Sequence, residues 1–206
     1  IVNIGGMANI TWLPAIGEVC GFDTGPGNVL MDLWVQEHRN KRFDADGQWA
    51  ASGQIIPDLL DLFLNESFFA KPPPKSTGRE SFNRAWLDNH LTTLKGAYAA
   101  QDIQASLLEL TAVNISTSIK GLSTTSKEIF ICGGGAFNKR LICRLGELLP
   151  GCDMATTAKT GIDPQWIEAM AFAWLAQQTI NHRPGNLIAV TGAKREVILG
   201  GVYFAR

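Results

Sequence analysis

The chain has 206 residues, 46% of them hydrophobic and 18% charged, with a formal net charge of −1. A near-neutral chain carries no electrostatic footprint for nucleic acid or an anionic membrane surface. Its longest apolar stretches, such as Ala169 to Ala176, fall well short of the ~20 residues that span a bilayer.

The length suits one large domain over 1–206, with residues 43–100 as a helical and loop insertion. Cys20, Cys132, Cys143 and Cys152 form no C-x-x-C pair and sit among apolar or glycine-rich neighbours. They read as reduced thiols of a cytoplasmic protein, and no metal site is expected of them. His38, His90 and His182 are scattered and read as surface residues.

The chain opens without Met or a leader, on Ile1 to Ile4, which reads as a strand already under way. A piece of a longer protein is the expectation. Ile1 to Ile4, Ile10 to Leu13 and Val19 to Phe22 are short β-rich runs separated by glycine-containing turns. A helix is expected to follow at once, with Pro26 in its first turn and Val29, Leu30, Leu33 and Trp34 on its apolar stripe. Arg39, Lys41 and Arg42 read as its solvated end.

Ile55, Leu59, Leu60, Phe63 and Leu64 predict a short helix after Gly53. Lys71 to Lys75 contains three consecutive prolines and reads as an extended surface segment. It leads to Ser76-Thr77-Gly78-Arg79-Glu80, which is expected to close the insertion. A long helix follows from about Asp102 to Leu122, with Leu108, Thr111, Ile115, Ile119 and Leu122 on one stripe.

The last third reads as α/β. Ile129 to Cys132 is an apolar strand ending in Gly133-Gly134-Gly135, and helical spacing resumes at Leu141, Leu145, Leu148 and Leu149. Asp163-Pro164 is expected to open a final helix as N-cap and first residue, with Ile167, Met170, Ala171, Trp174 and Leu175 on its buried face. Trp166 and Trp174 read as core or interface residues. Leu187 to Val190 and Val197 to Leu199 are expected to be extended. The order is hairpin-like strands, helix, helical insertion, strand, helix, strand, helix. It suits a split βββαβαβα domain better than a strictly alternating Rossmann domain.

Two glycine segments and one acid stand out. Gly21 to Asn28 reads as a strand–turn–helix junction whose backbone N–H groups and helix end could meet a phosphate. Asp23 at its mouth could hold a Mg²⁺ shell, take a proton from a nucleophile, or only cap the turn. Gly133 to Asn138 lets a ligand approach the main chain, but fits neither the dinucleotide fingerprint nor a Walker A loop. Tight helix–strand packing is the competing reason for its glycines. Glu168 either lines a polar cavity or faces solvent as a first-turn acid.

Together these segments resemble the anhydro-N-acetylmuramic acid kinases. The matching motifs are Asn3 to Thr11, Gly21 to Asn28, Pro73 to Phe82, Gly133 to Asn138, Gly161 to Asp163, Glu168 to Ala173, Pro184 to Leu187 and Val190 to Ala193. They follow one another in the family's order over nearly the whole chain. The resemblance implies an α/β fold of the actin/hexokinase, ribonuclease H-like type, with a mixed sheet flanked by helices and ATP between two lobes.

It implies transfer of the γ-phosphate to O6 of 1,6-anhydro-N-acetylmuramic acid, with water opening the anhydro bridge, in cell-wall recycling. Asp23 would be the general base and Glu168 a second acid in the sugar site. Gly133, Gly134, Gly135 and Asn138 would border the nucleotide, and Thr24, Gly25 and Gly27 would lie near its phosphates. Gly5, Gly6 and Asn9 would shape the sugar side or the lobe junction. ATP and Mg²⁺ are the implied cofactors, and a cytoplasmic homodimer the implied state.

The family also carries an N-terminal Gly-Thr-Ser-x-Asp-Gly phosphate loop that this sequence does not contain. The N-terminal lobe is therefore expected to be largely absent, and the 206 residues alone to have little turnover. The competing readings are another sugar or acyl-phosphate kinase of the same fold, and a non-catalytic sugar- or nucleotide-binding module.

Overall fold

A computed structural model describes residues 1–94, 96–122 and 128–203. Three short strands open the chain: β1 (Val2–Ile4), β2 (Met7–Trp12) and β3 (Cys20–Pro26). Helix α1 (Val29–Arg39) follows, then α2 (Gln48–Ala51), α3 (Pro57–Leu64), α4 (Ser67–Ala70), α5 (Arg84–Thr93) and the long α6 (Ala100–Leu122). The chain continues with β4 (Glu128–Cys132), α7 (Lys139–Leu148), β5 (Asp153–Thr156), α8 (Ile167–Ile180) and α9 (Ile188–Thr191). The strands form one sheet of order β3-β2-β1-β4-β5. The first three are antiparallel neighbours, whereas β1–β4 and β4–β5 are parallel. This is the mixed sheet flanked by helices expected of the actin/hexokinase type. β5 is the strand between α7 and α8 that the apolar pattern had not located.

Residues directly opposite in a ladder share a face of the sheet. The registers Val2↔Ile10, Ile4↔Ala8 and Ile10↔Phe22 therefore gather a buried apolar face. Helix α6 lies across β2 and β3 and packs also on α1, α2, α3 and α7, so it is buried nearly all round. Its Thr111 hydroxyl bonds the Pro26 and Gly27 carbonyls, tying the helix to the end of β3. Glu109, also on α6, is 4% exposed and receives two 2.7 Å hydrogen bonds from Arg144 of α7. The segment from α3 to α5 carries an aromatic cluster of Phe63, Phe68, Phe69, Phe82 and Trp86. His90 packs into it, 4.1 Å from Trp86 between ring centres, and is no surface residue.

Four expectations are corrected. The segment 21–26 is strand rather than turn, and Pro26 is its last residue; α1 starts only at Val29, after Asn28. Continuous pairing to β2 outweighs the glycines, because Met7↔Pro26 and Ala8↔Gly25 extend the ladder. The final helix begins at Ile167, not at Pro164. The Asp163 carboxylate instead accepts from the Gln165 N–H at 2.8 Å, closing a local turn. Residues 188–191 are helical rather than extended, and 197–199 form no strand.

The buried face assigned to α8 is also not buried. Met170 and Trp174 are about half exposed, Phe172 and Trp166 more so. The helix is apolar on all sides, and no other described element packs against most of it.

Candidate active site

β1 and β3 run parallel to each other, since both are antiparallel to β2, and β4 runs with β1. Their carboxyl ends meet at one edge of the sheet, the edge where open α/β sheets receive ligands. Three turns converge there. Gly27, Asn28 and Val29 donate their N–H groups to the carbonyls of Gly6, Gly5 and Gly6. The Asn28 side chain donates to the Ile4 carbonyl at 3.1 Å and approaches Gly134. The N–H groups at the start of α1 are thus already bonded within the chain.

The second face of the sheet is polar. Asn3↔Asn9 and Asn9↔Asp23 are cross-strand pairs, so Asn3, Asn9 and Asp23 form a row over three strands. At its far end Asn3 abuts Gly133. Asp23 lies inside β3, not at its end. The ladder carries one extra residue here: Asn9 pairs with Asp23 and Ala8 with Gly25, which leaves Thr24 as a bulge. Gly25 takes φ +139 beyond it, and a Cβ there would stand 2.6 Å from the Phe69 ring. Thr24 itself is buried, its hydroxyl on the Ala8 carbonyl.

The proline-rich segment closes over Asp23. Its N–H donates to the Lys75 carbonyl at 3.0 Å. Its Oδ2 accepts from the Ser76 hydroxyl and the Thr77 N–H, both at 2.9 Å. Oδ1 accepts no hydrogen bond among the described residues and is left for a ligand proton. The cleft beside it measures about 620 Å³ and is lined by Asn9, Thr11, Asp23, Lys75, Ser76 and Thr191, among others.

A second cleft of about 330 Å³ lies at the glycine turn, between Asn28, Asp32, Asp46, Gly134, Asn138 and Gln165. Asn138 caps α7 by accepting from the Leu141 N–H. Gly133 donates to the Pro164 carbonyl. A Cβ on Gly135 would lie 2.3 Å from the Ile4 side chain, so packing of the turn on β1 requires that glycine. Gly135→Ala is expected to destabilise the fold by about 1–3 kcal/mol through overpacking, read as a lower Tm in a thermal melt.

Asp32, half-buried in the first turn of α1, is the acid whose titration the fold moves furthest. Burial pushes its carboxyl up to about 6, against the pull of the Arg79 charge. The fold therefore favours the protonated acid. That contribution is complete below the ordinary carboxylate range and is lost as pH rises through about 6. Asparagine mimics the neutral form at every pH. Asp32→Asn is expected to stabilise the protein by about 1 kcal/mol at pH 7.5, allowing for screening at this half-buried site, and to have no effect near pH 4. Urea melts at the two pH values check this.

The structure thus brings Asp23 and Asn9 together in one cleft, and Gly134 and Asn138 in the other. Gly5, Gly6, Gly25 and Gly27 build the edge between them. Glu168 is exposed in the first turn of α8 and lines neither cleft. Asn3, Asp32, Ser76 and Thr77 were not singled out by sequence reasoning. For Asn3 the alternation of β1 was a usable signal; for the others the contact spans distant segments.

A family model described as anhydro-N-acetylmuramic acid kinase matches residues 1–205. Curated relatives carry the same description. The one from Pseudomonas syringae pv. tomato is 49% identical over 203 residues, covering 98% of this chain and 56% of its own. That from Shewanella frigidimarina is 52% identical over 207 residues, covering 100% and 55%. That from Saccharophagus degradans is 48% identical over 203 residues, covering 98% and 54%. The chain spans little more than half the length of these relatives.

Proposed function

Since the chain belongs to the anhydro-N-acetylmuramic acid kinase family, we propose that it supplies the base and one wall of the nucleotide site for phosphorylation of 1,6-anhydro-N-acetylmuramic acid at O6. The observation that carries this reading is Asp23. Its Oδ2 is fixed by Ser76 and Thr77, while Oδ1 faces an open cleft beside Asn9. A carboxylate held on one oxygen and open on the other is oriented to take a proton.

In the proposed step Asp23 Oδ1 removes a proton from a water that attacks C1 of the sugar. The C1–O6 bond breaks, O6 takes the γ-phosphoryl group of ATP, and ADP leaves. The products are N-acetylmuramic acid 6-phosphate and ADP, and Asp23 returns its proton to solvent. Asn9 and Asn3 extend the polar floor on which the sugar would rest.

The turn Gly133 to Asn138 is the proposed nucleotide wall. Gly134 presents main chain to the second cleft without a side chain in the way, and Asn138 stands at the cleft rim. Thr24, Gly25 and Gly27 act on the phosphate side by holding the sheet edge rather than by open contacts. Mg²⁺ would offset phosphate charge during transfer. Glu168 is retained as a second acid of the sugar site only in a chain of the relatives' length. A homodimer in the cytoplasm completes the reading.

The test is a product assay with this sequence in a chain of the relatives' length, given the anhydro sugar, ATP and Mg²⁺. A ring-opened 6-phosphate is the expected product. A sugar left untouched sinks the substrate assignment.

A further inference from the structure

Arg79 is used by nothing in the mechanism above. It follows the residues that hold Asp23, and its guanidinium lies over the Gly5–Gly6 turn, 3.8 Å from where a Cβ on Gly6 would stand. That places it at the carboxyl edge of the sheet, within electrostatic reach of Asp32 in the second cleft and two residues beyond the Thr77 N–H that holds Asp23. Its side chain makes no hydrogen bond or ion pair among the described residues, and reaches Asp32 only through space.

The other cation of this segment, Lys75, is already engaged. Its ammonium donates to the Phe68 and Phe69 carbonyls, at 3.3 and 3.1 Å, and sits 4.8 Å over the Phe68 ring. Acids stand close by: Asp32, whose carboxyl feels the Arg79 charge, and Asp23, held by Ser76 and Thr77 just before Arg79 in the chain. The proposed substrate is itself an acid: its lactyl group carries a carboxylate. Bringing that anion to a site whose base must be ionised is opposed by like-charge repulsion unless a cation meets it. Guanidinium suits this role, because its planar fork bonds a carboxylate through two parallel N–H groups.

We propose that Arg79 is the specificity residue that binds the carboxylate of the sugar acid, an inference that rests on the function proposed above. It makes the enzyme a kinase of an acidic sugar, where Asp23 alone would serve any anhydro sugar.

The test compares 1,6-anhydro-N-acetylmuramic acid with its carboxamide, in wild type, Arg79→Ala and Arg79→Lys. Calorimetry gives Kd for both sugars, and the product assay gives kcat/KM. The wild type is expected to bind the acid tenfold or more tightly than the amide. Arg79→Ala should weaken the acid by roughly 10², abolishing that preference, and Arg79→Lys should recover part of it. Arg79 is exposed, so the variants should melt with the wild type. A preference that survives in Arg79→Ala overturns the assignment. So does an equal loss on both sugars, which would place Arg79 on the phosphoryl group. A wild type that turns over neither sugar would instead defeat the function reading, a separate outcome.

Discussion

Asp23→Asn is expected to lower kcat by about 10³ or more in a chain of the relatives' length, with the fold intact. The substitution isolates basicity from structure. Asparagine keeps an amide oxygen that can accept from the Ser76 hydroxyl and the Thr77 N–H, as Oδ2 does now. The backbone bond from residue 23 to the Lys75 carbonyl is untouched. What disappears is the carboxylate oxygen open to the cleft. Sugar binding should therefore hold within a few-fold while turnover collapses. Steady-state kinetics with a parallel thermal melt checks both halves. A variant with near-wild-type turnover would remove Asp23 from the chemistry and leave it a clasp for the proline-rich segment.

Arg144→Met is expected to cost about 3–5 kcal/mol of stability. Arg144 of α7 gives two hydrogen bonds to Glu109, which is 4% exposed on α6, the helix that packs on β2, β3 and four other helices. Removing the guanidinium strands a carboxylate in the core, and the desolvation it has already suffered is no longer offset. The pair as such adds little, since its desolvation nearly cancels its attraction. The double variant Glu109→Leu, Arg144→Met should therefore recover most of the loss. Urea unfolding of the single and double variants forms the cycle. Additive losses would mean that Glu109 and Arg144 act independently.

The sheet and the long helix were legible because their signals are local. Ile129 to Cys132 is an apolar run with a glycine stop, and α6 lies within two residues of its expected start. The segment 21–26 was misjudged because glycine and proline are turn-formers by propensity, whereas the ladder to β2 is decided across the sheet. The periodicity of α8 was equally misleading. A helix apolar on every side has a stripe wherever one is sought, and here that surface meets solvent.

Of the candidate site, Asp23, Asn9, Gly134 and Asn138 were visible as residue types in glycine-rich company. The clasp by Ser76 and Thr77 was not, because it joins positions more than fifty residues apart. Arg79 was legible only as part of a segment expected to close an insertion. No sequence pattern marks a guanidinium without a side-chain partner among the described residues.

The bulge at Thr24 makes chain length, rather than side-chain identity, the sensitive variable of this region. Asp23 faces the cleft, Thr24 the Ala8 carbonyl, and three residues later the chain must deliver Gly27, Asn28 and Val29 to the carbonyls of Gly5 and Gly6. Losing one residue beyond the bulge, between 25 and 27, would draw the start of α1 back by about 3.3 Å, one strand rise, and unlatch those three bonds. A slip taken up on the other side would turn Asp23 toward the apolar face. A single-codon deletion here would disturb the proposed base and the sheet edge together, where most substitutions in the same stretch would remove only one of them.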